Sequence, residues 1–234
     1  MTELLISVRN TTEAQTVLNT VPHLAILDIK EPRLGALSAT SPETWQNVAT
    51  LDRGSTLLSV ALGELGEYDL AISKQIPATA RYAKIGLSQQ AAKNWIDPWQ
   101  RTASSLPHST DLVGVIYADH HAAQSPPADC IVDTLLAVGC RTFLIDTFDK
   151  SKGNVLHHLS REALANLNDQ IEQQNGILVL AGSITSIILA DILQTGAKYI
   201  GIRGAVCEGD RQNQLSQTAT ISFLSSLKLL SSGI

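Results

Sequence analysis

The chain has 234 residues, 44% hydrophobic and 17% charged, with a formal net charge of −5. That length suits one α/β domain with a sizeable core, and the acidic balance without a Lys/Arg run argues against nucleic acid or an anionic membrane surface as partner. No apolar run approaches the roughly 20 residues of a membrane span.

In chain order, short β-branched apolar runs predict eight strands, at 4–8, 24–29, 56–62, 82–86, 112–117, 142–146, 177–181 and 199–202. Helical segments are expected between them. The first covers 11–19, and Ser41-Pro42-Glu43-Thr44 reads as an N-cap with proline at the first helical position. A third helix is expected to end at 78–80, directly before the fourth strand. Further helices are expected at 89–101, 129–138, 161–174, 185–194 and 212–230. Strict alternation implies parallel strands joined by right-handed crossovers. The closed solution is a (β/α)8 TIM barrel, a single domain over 1–234. An open doubly wound sheet would carry a glycine-rich turn after its first strand, where this chain has Arg9-Asn10-Thr11-Thr12.

Charged residues recur where these strands end. Asp28 and Lys30 close the second, Lys84 lies within the fourth, and Asp119 follows the fifth. Asp146 closes the sixth with Lys150 just beyond; Gly182-Ser183 follows the seventh and Arg203-Gly204 the eighth. Barrel active sites lie at those ends. Asp28 and Lys30 are two apart, so an extended strand puts them on one face, and an interior face brings them into contact. Burial and neighbouring ammonium groups lower a lysine pKa, while a carboxylate raises it. A lysine brought near neutrality can attack a carbonyl and form a Schiff base. An ordinary ion pair at a strand end is the alternative for this pair.

Lys84, among Ala83, Ile85 and Gly86, needs a partner if it faces inward, and Asp28, Asp146 or a substrate phosphate would serve. Asp146 can orient a lysine or move a proton, or else cap Thr147 or Phe148. A helix beginning at Ser183 or Thr185 would aim its positive end at an anion, and Arg203 would add a fork of donors. Asp119 joins Gly182, Ser183, Arg203 and Gly204 as a candidate substrate-binding residue. The pairs His120-His121 and His157-His158 read as solvated loop residues without metal-ligand spacing. Trp45, Trp95 and Trp99 read as packing residues. The scattered Cys130, Cys140 and Cys207 fit a reduced, cytoplasmic setting, and the N-terminus has no signal-peptide pattern.

Asp28-Ile29-Lys30-Glu31-Pro32, Lys84-Ile85-Gly86-Leu87, Tyr117-Ala118-Asp119 and Ile145-Asp146-Thr147 resemble (5-formylfuran-3-yl)methyl phosphate synthase, also called 4-(hydroxymethyl)-2-furancarboxaldehyde-phosphate synthase. So do Leu180-Ala181-Gly182-Ser183-Ile184 and Gly201-Ile202-Arg203-Gly204-Ala205. The resemblance implies a barrel lyase that condenses two molecules of glyceraldehyde 3-phosphate, losing one phosphate and two waters. The furan aldehyde product feeds methanofuran synthesis in methanogens and a methanofuran-like one-carbon carrier in methylotrophic bacteria. It also implies that Lys30 is the Schiff-base lysine, Asp28 its partner and Lys84 a second active-site lysine. Asp146 and Lys150 complete the set, with Lys152 as the competing choice for the last. No metal or organic cofactor is implied. The chain departs from the family's Gly-Ser-Leu-Gly-Ala with Gly35-Ala36-Leu37-Ser38-Ala39. The expected partner is a small phosphorylated triose; a homo-oligomer is compatible with the sequence. Another Schiff-base aldolase, a phosphosugar isomerase, or a non-catalytic phosphosugar-binding protein would share the scaffold.

Overall fold

Apolar residues on both faces of every strand require a sheet covered on both sides, as parallel sheets are. The computed structural model, which describes residues 2–231, has that arrangement. The strands are β1 (Glu3–Val8), β2 (Ile26–Ile29), β3 (Leu57–Glu64), β4 (Ala80–Gly86), β5 (Asp111–Tyr117), β6 (Thr142–Asp146), β7 (Ile177–Leu180) and β8 (Tyr199–Ile202). All neighbours are parallel, and β1 pairs with β8 to close the barrel. All eight predicted strands are present. The predicted helices are less faithful.

The helices are α1 (Thr11–Thr20), α2 (Pro42–Ala49), α3 (Ile96–Ser105), α4 (His120–Ala123), α5 (Ala128–Ala137), α6 (Arg161–Gln173), α7 (Leu189–Leu193) and α8 (Gln217–Ser231). Four begin at side-chain caps: Asn10, Ser41, Ser160 and Ser216 each accept a backbone N–H three residues on. The helix expected to end at 78–80 is replaced by a 3-10 turn, Leu70–Gln75, and Ala80 already belongs to β4. Gln89 adopts a left-handed φ of 59°, so α3 starts only at Ile96. The segment after β7 becomes helical at Leu189 rather than at 185. Three tryptophans pack as expected: Trp45, Trp95 and Trp99 are buried, Trp95 at the N-terminal boundary of α3. His120 and His121 lie on the short α4 instead of a loop, with His121 exposed. Cys140 and Cys207 are buried and Cys130 is exposed.

Two apolar layers result. The larger lies between sheet and helices and contains Ile6, Leu27, Leu58, Ile85, Ile116 and Ile145. The smaller fills the barrel interior with Leu5, Ile26, Tyr82, Val113, Leu144, Val179 and Tyr199. These inner residues plug the floor, so chemistry is confined to the mouth above them.

Candidate active site

The parallel register sets Ser7, Asp28 and Ser59 side by side on β1, β2 and β3. Asp28 is fully buried, and its Oδ2 accepts the Ser7 hydroxyl at 2.8 Å. Its Oδ1 accepts the Ser59 hydroxyl at 2.9 Å and meets Lys84 Nζ, from β4, at 2.6 Å. Burial alone would raise the Asp28 carboxyl; Lys84, Lys30 and Ser7 outweigh it and hold the pKa below its ordinary value. The expected contact between Asp28 and Lys30 is not made. Residues i and i+2 share a face but stand one rung apart, and the Asp28 carboxylate is already taken by Ser7 and Ser59 on its own rung and by Lys84, which reaches it from two residues further along β4. Lys84 takes Asp28 as its partner, one of the options the sequence left open.

Lys30 stands on the upper rung, its N–H continuing the ladder to Val8 O at 3.0 Å. Its ammonium lies 3.8 Å from Asp146 Oδ2 at the end of β6. The side chain is only 9% exposed. Burial lowers its pKa most; Asp146 and Asp28 oppose that, Lys84 and Lys150 reinforce it, and the result is about 7. Asp146 Oδ1 accepts the Thr147 N–H at 2.8 Å and also meets Lys150 Nζ. Lys150 additionally donates to Thr147 Oγ1 at 3.0 Å. Burial would raise the Asp146 carboxyl, but Lys150, Lys30 and the Thr147 N–H bring it to about 2. Between the two lysines of the loop, Lys150 is the one at the site. Lys152 pairs instead with Asp149 at 3.6 Å and is 59% exposed.

The mouth is asymmetric. On the β3–β5 side, Tyr117 fills the interior and donates its hydroxyl to Glu64, leaving no room for a side chain at Gly86. On the opposite side the inward residues are small, Ala181 and Gly201, and a cavity of about 330 Å³ opens. Lys30, Lys84, Asp146 and Lys150 line it together with Gly182, Ser183 and Gly204. Gly182 has φ +103°, and a Cβ there would fall 2.9 Å from Val155 Cβ. Ser183 follows in the left-handed region at φ 55°. The backbone N–H groups of Gly182, Ser183, Gly204 and Ala205 form no hydrogen bond among the described residues. Among the described residues no α-helix end lies there, since α7 begins six residues after Ser183; only a single 3-10 turn, Gly204–Val206, opens at this wall. These free amides and the neighbouring lysines are the donors that this wall presents to the cavity.

Two expected binding residues are committed elsewhere. Asp119 accepts the N–H of Phe148 at 2.6 Å and of Asp149 at 2.8 Å, so it shapes the loop after β6 and does not line the cavity. Arg203 borders the cavity, but all five of its N–H donors have protein acceptors. They reach Glu13 on α1 (2.9 and 3.3 Å), Ser7 O (2.9 Å), Arg211 O (2.7 Å) and Asn213 O (3.1 Å). The fork expected to grip phosphate ties β8, β1, α1 and the loop after β8 together.

That loop carries a cation the sequence did not flag. Arg211 lines the cavity and donates to Pro32 O at 2.7 Å and Gly35 O at 3.2 Å, across the mouth. Nothing in the polar stretch Glu208-Gly209-Asp210-Arg211-Gln212 distinguishes it. Ser7 and Ser59 did leave a signal, since each interrupts an otherwise apolar strand at an inward position.

Residues 4–223 match the family model described as 4-HFC-P synthase. The chain belongs to that family. Relatives named (5-formylfuran-3-yl)methyl phosphate synthase include one from Methanococcus aeolicus, 27% identical and covering 94% of this chain and 97% of the relative. Another, from Methanopyrus kandleri, is 25% identical over 89% of this chain and 91% of its own length. Among solved structures, the native KDPGal structure aligns with a TM-score of 0.64 at 10% identity, covering 98% of this chain and 94% of that one. A 3-hexulose-6-phosphate synthase aligns with a TM-score of 0.60 at 13% identity, covering 97% and 99%. At such identities these two establish the barrel fold and nothing finer.

Proposed function

We propose that this synthase-family chain condenses two molecules of glyceraldehyde 3-phosphate to (5-formylfuran-3-yl)methyl phosphate through a Schiff base on Lys30. The observation that carries the reading is a nearly buried amine with a pKa of about 7, opening on a cavity ringed by other lysines. At neutral pH a large fraction of such an amine is unprotonated and nucleophilic. Its attack on a triose carbonyl expels water, and the resulting iminium acidifies the adjacent carbon, whose proton passes to the Asp146 carboxylate beside Lys30, leaving an enamine that serves as the carbanion equivalent. That carbon attacks the second triose. Loss of one phosphate and two waters overall leaves a six-carbon furan aldehyde with one phosphate.

Asp28 and Asp146 are held ionised by their donors, so in the resting site they act as fixed charges that position Lys84, Lys30 and Lys150. Lys84 and Lys150 offset the charge of the phosphorylated substrates, and the free amides of Gly182, Ser183, Gly204 and Ala205 cradle a phosphate. The same kinship supports a role in methanofuran-type cofactor biosynthesis.

Borohydride added to the protein with glyceraldehyde 3-phosphate should leave a reduced adduct on Lys30, found by peptide mass mapping. Without borohydride a furan aldehyde absorbance should grow. Lys30→Ala should show neither. Furan formation that survives in Lys30→Ala would overturn the assignment. Adduct without furan would favour another Schiff-base aldolase, and binding without adduct or turnover a phosphosugar-binding protein.

A further inference from the structure

The reaction proposed above joins two anionic trioses, and the cavity around Lys30 accounts for one. A second cleft, of about 430 Å³, adjoins it, and both are lined by Lys150 and Arg211. Its walls come from the loops after β2, β6 and β8. Four cationic side chains border it, Arg33, Lys150, Lys152 and Arg211, against one carboxylate, Asp149. That is a strong local excess of positive charge on a chain whose net charge is −5.

The four cations are not equivalent. Lys150 is engaged by Asp146 and Thr147. Lys152 reaches Asp149 only at 3.6 Å, at an exposed position where such pairs contribute little. Asp149 is itself occupied, since its Oδ1 accepts the N–H and hydroxyl of Ser151 at 3.0 and 2.6 Å. Arg33 is exposed and has no ion-pair partner among the described residues. Arg211 spends two of its five donors on Pro32 O and Gly35 O, which plants its guanidinium on the wall between the two cavities. The buried Arg203–Glu13 pair holds that position, because Arg203 Nε binds the carbonyl of Arg211 itself.

We propose that the outer cleft is the phosphate subsite for the second triose, with Arg33, Lys152 and Arg211 as its cationic contacts. This inference rests on the two-triose reading above. The inner cavity takes the triose that reacts with Lys30. The outer cleft anchors the phosphate of its partner, so that the partner's carbonyl carbon is presented past Lys150 and Arg211 to the enamine. Binding energy at a remote phosphate then orients the reacting carbon.

The test uses the full-length chain and the double variant Arg33→Ser/Lys152→Ser, whose two positions are exposed and make no buried contact. Two readouts are taken against glyceraldehyde 3-phosphate concentration: borohydride-trapped adduct on Lys30, and furan aldehyde formation. In the variant, half-maximal trapping should stay within about twofold of the parent, while half-maximal furan formation should need at least about tenfold more substrate. Furan formation that saturates as in the parent would overturn the proposal. So would a joint shift of both curves, which would place these cations at the first site, or a change only in inhibition by added inorganic phosphate.

Inorganic phosphate measured by calorimetry supplies an arm independent of turnover. The parent should bind two per chain and the double variant one; a single phosphate on the parent would sink the outer subsite. A parent that forms neither adduct nor furan while binding two phosphates would instead condemn the Schiff-base reading and leave the second anion site standing.

Discussion

At the scale of single residues, Lys30 is distinguished from other lysines by what surrounds its nitrogen. Burial in the mouth and two neighbouring ammonium groups outweigh two carboxylates, leaving a pKa of about 7. The free-amine fraction therefore grows as pH rises through 7 and levels off above it. Borohydride trapping on Lys30, measured from pH 5 to 11, should rise with an inflection near 7. An inflection above 9 would return Lys30 to the ordinary lysine range. That an amine sits at this strand end was legible from one charged residue closing an apolar run. Which carboxylate it faces was not. The pairs Lys84–Asp28 and Lys30–Asp146 cross from strand to strand, over separations of 56 and 116 positions in the chain, and neither follows from spacing along one strand.

At the scale of elements, the strands were legible to within two residues at either end, because burial on both faces forces an uninterrupted apolar run. Helix limits were not, since a left-handed Gln89 and a bent segment before α7 leave no compositional mark. The loop after β8 shows why side-chain identity alone misleads. Arg203 follows a strand at a place where barrels often bind phosphate, yet it is 3% exposed and paired with Glu13. Arg203→Ala should lower unfolding stability by about 2–3 kcal/mol, because Glu13 keeps only Arg9 as its cation and the carbonyls of Ser7, Arg211 and Asn213 lose their donor. Arg203→Lys should recover little of that, lacking the fork. Urea denaturation measures the loss, and hydrogen exchange should quicken across 209–213, which Arg203 anchors through Arg211 O and Asn213 O. A variant of unchanged stability that lost only substrate affinity would restore Arg203 as a direct phosphate ligand.

At the scale of the whole molecule, the titrating groups give stability a definite pH dependence. The Asp146 carboxyl lies at about 2 in the fold against 3.8 ordinarily, so its contribution is present above about 4 and is lost as pH falls toward 2. Asp28 and Glu13, also lowered, add to that acid limb with the same sign. Lys30 acts in a different window. The unfolded chain holds its proton up to about 10.5 and the fold releases it near 7, so stability from this group rises between those values. Urea midpoints for the parent and Lys30→Met across pH 6–10 should show the parent gaining on the variant as pH rises. Parallel curves would mean that Lys30 is not held in a desolvated site.

Pattern along the chain was enough to specify eight strands, their parallel order and the end of the barrel where charge collects. Periodicity and burial are local properties, and each strand carries its own. The pairing of charges, the bracing contacts of Arg203, the bonds of Asp119 to the loop after β6 and the arrival of Arg211 at the mouth depend on closure of the sheet. Closure brings β1 beside β8 and sets each inward residue against neighbours far away in the chain. An ion pair depends on that distance in space, which no single segment encodes.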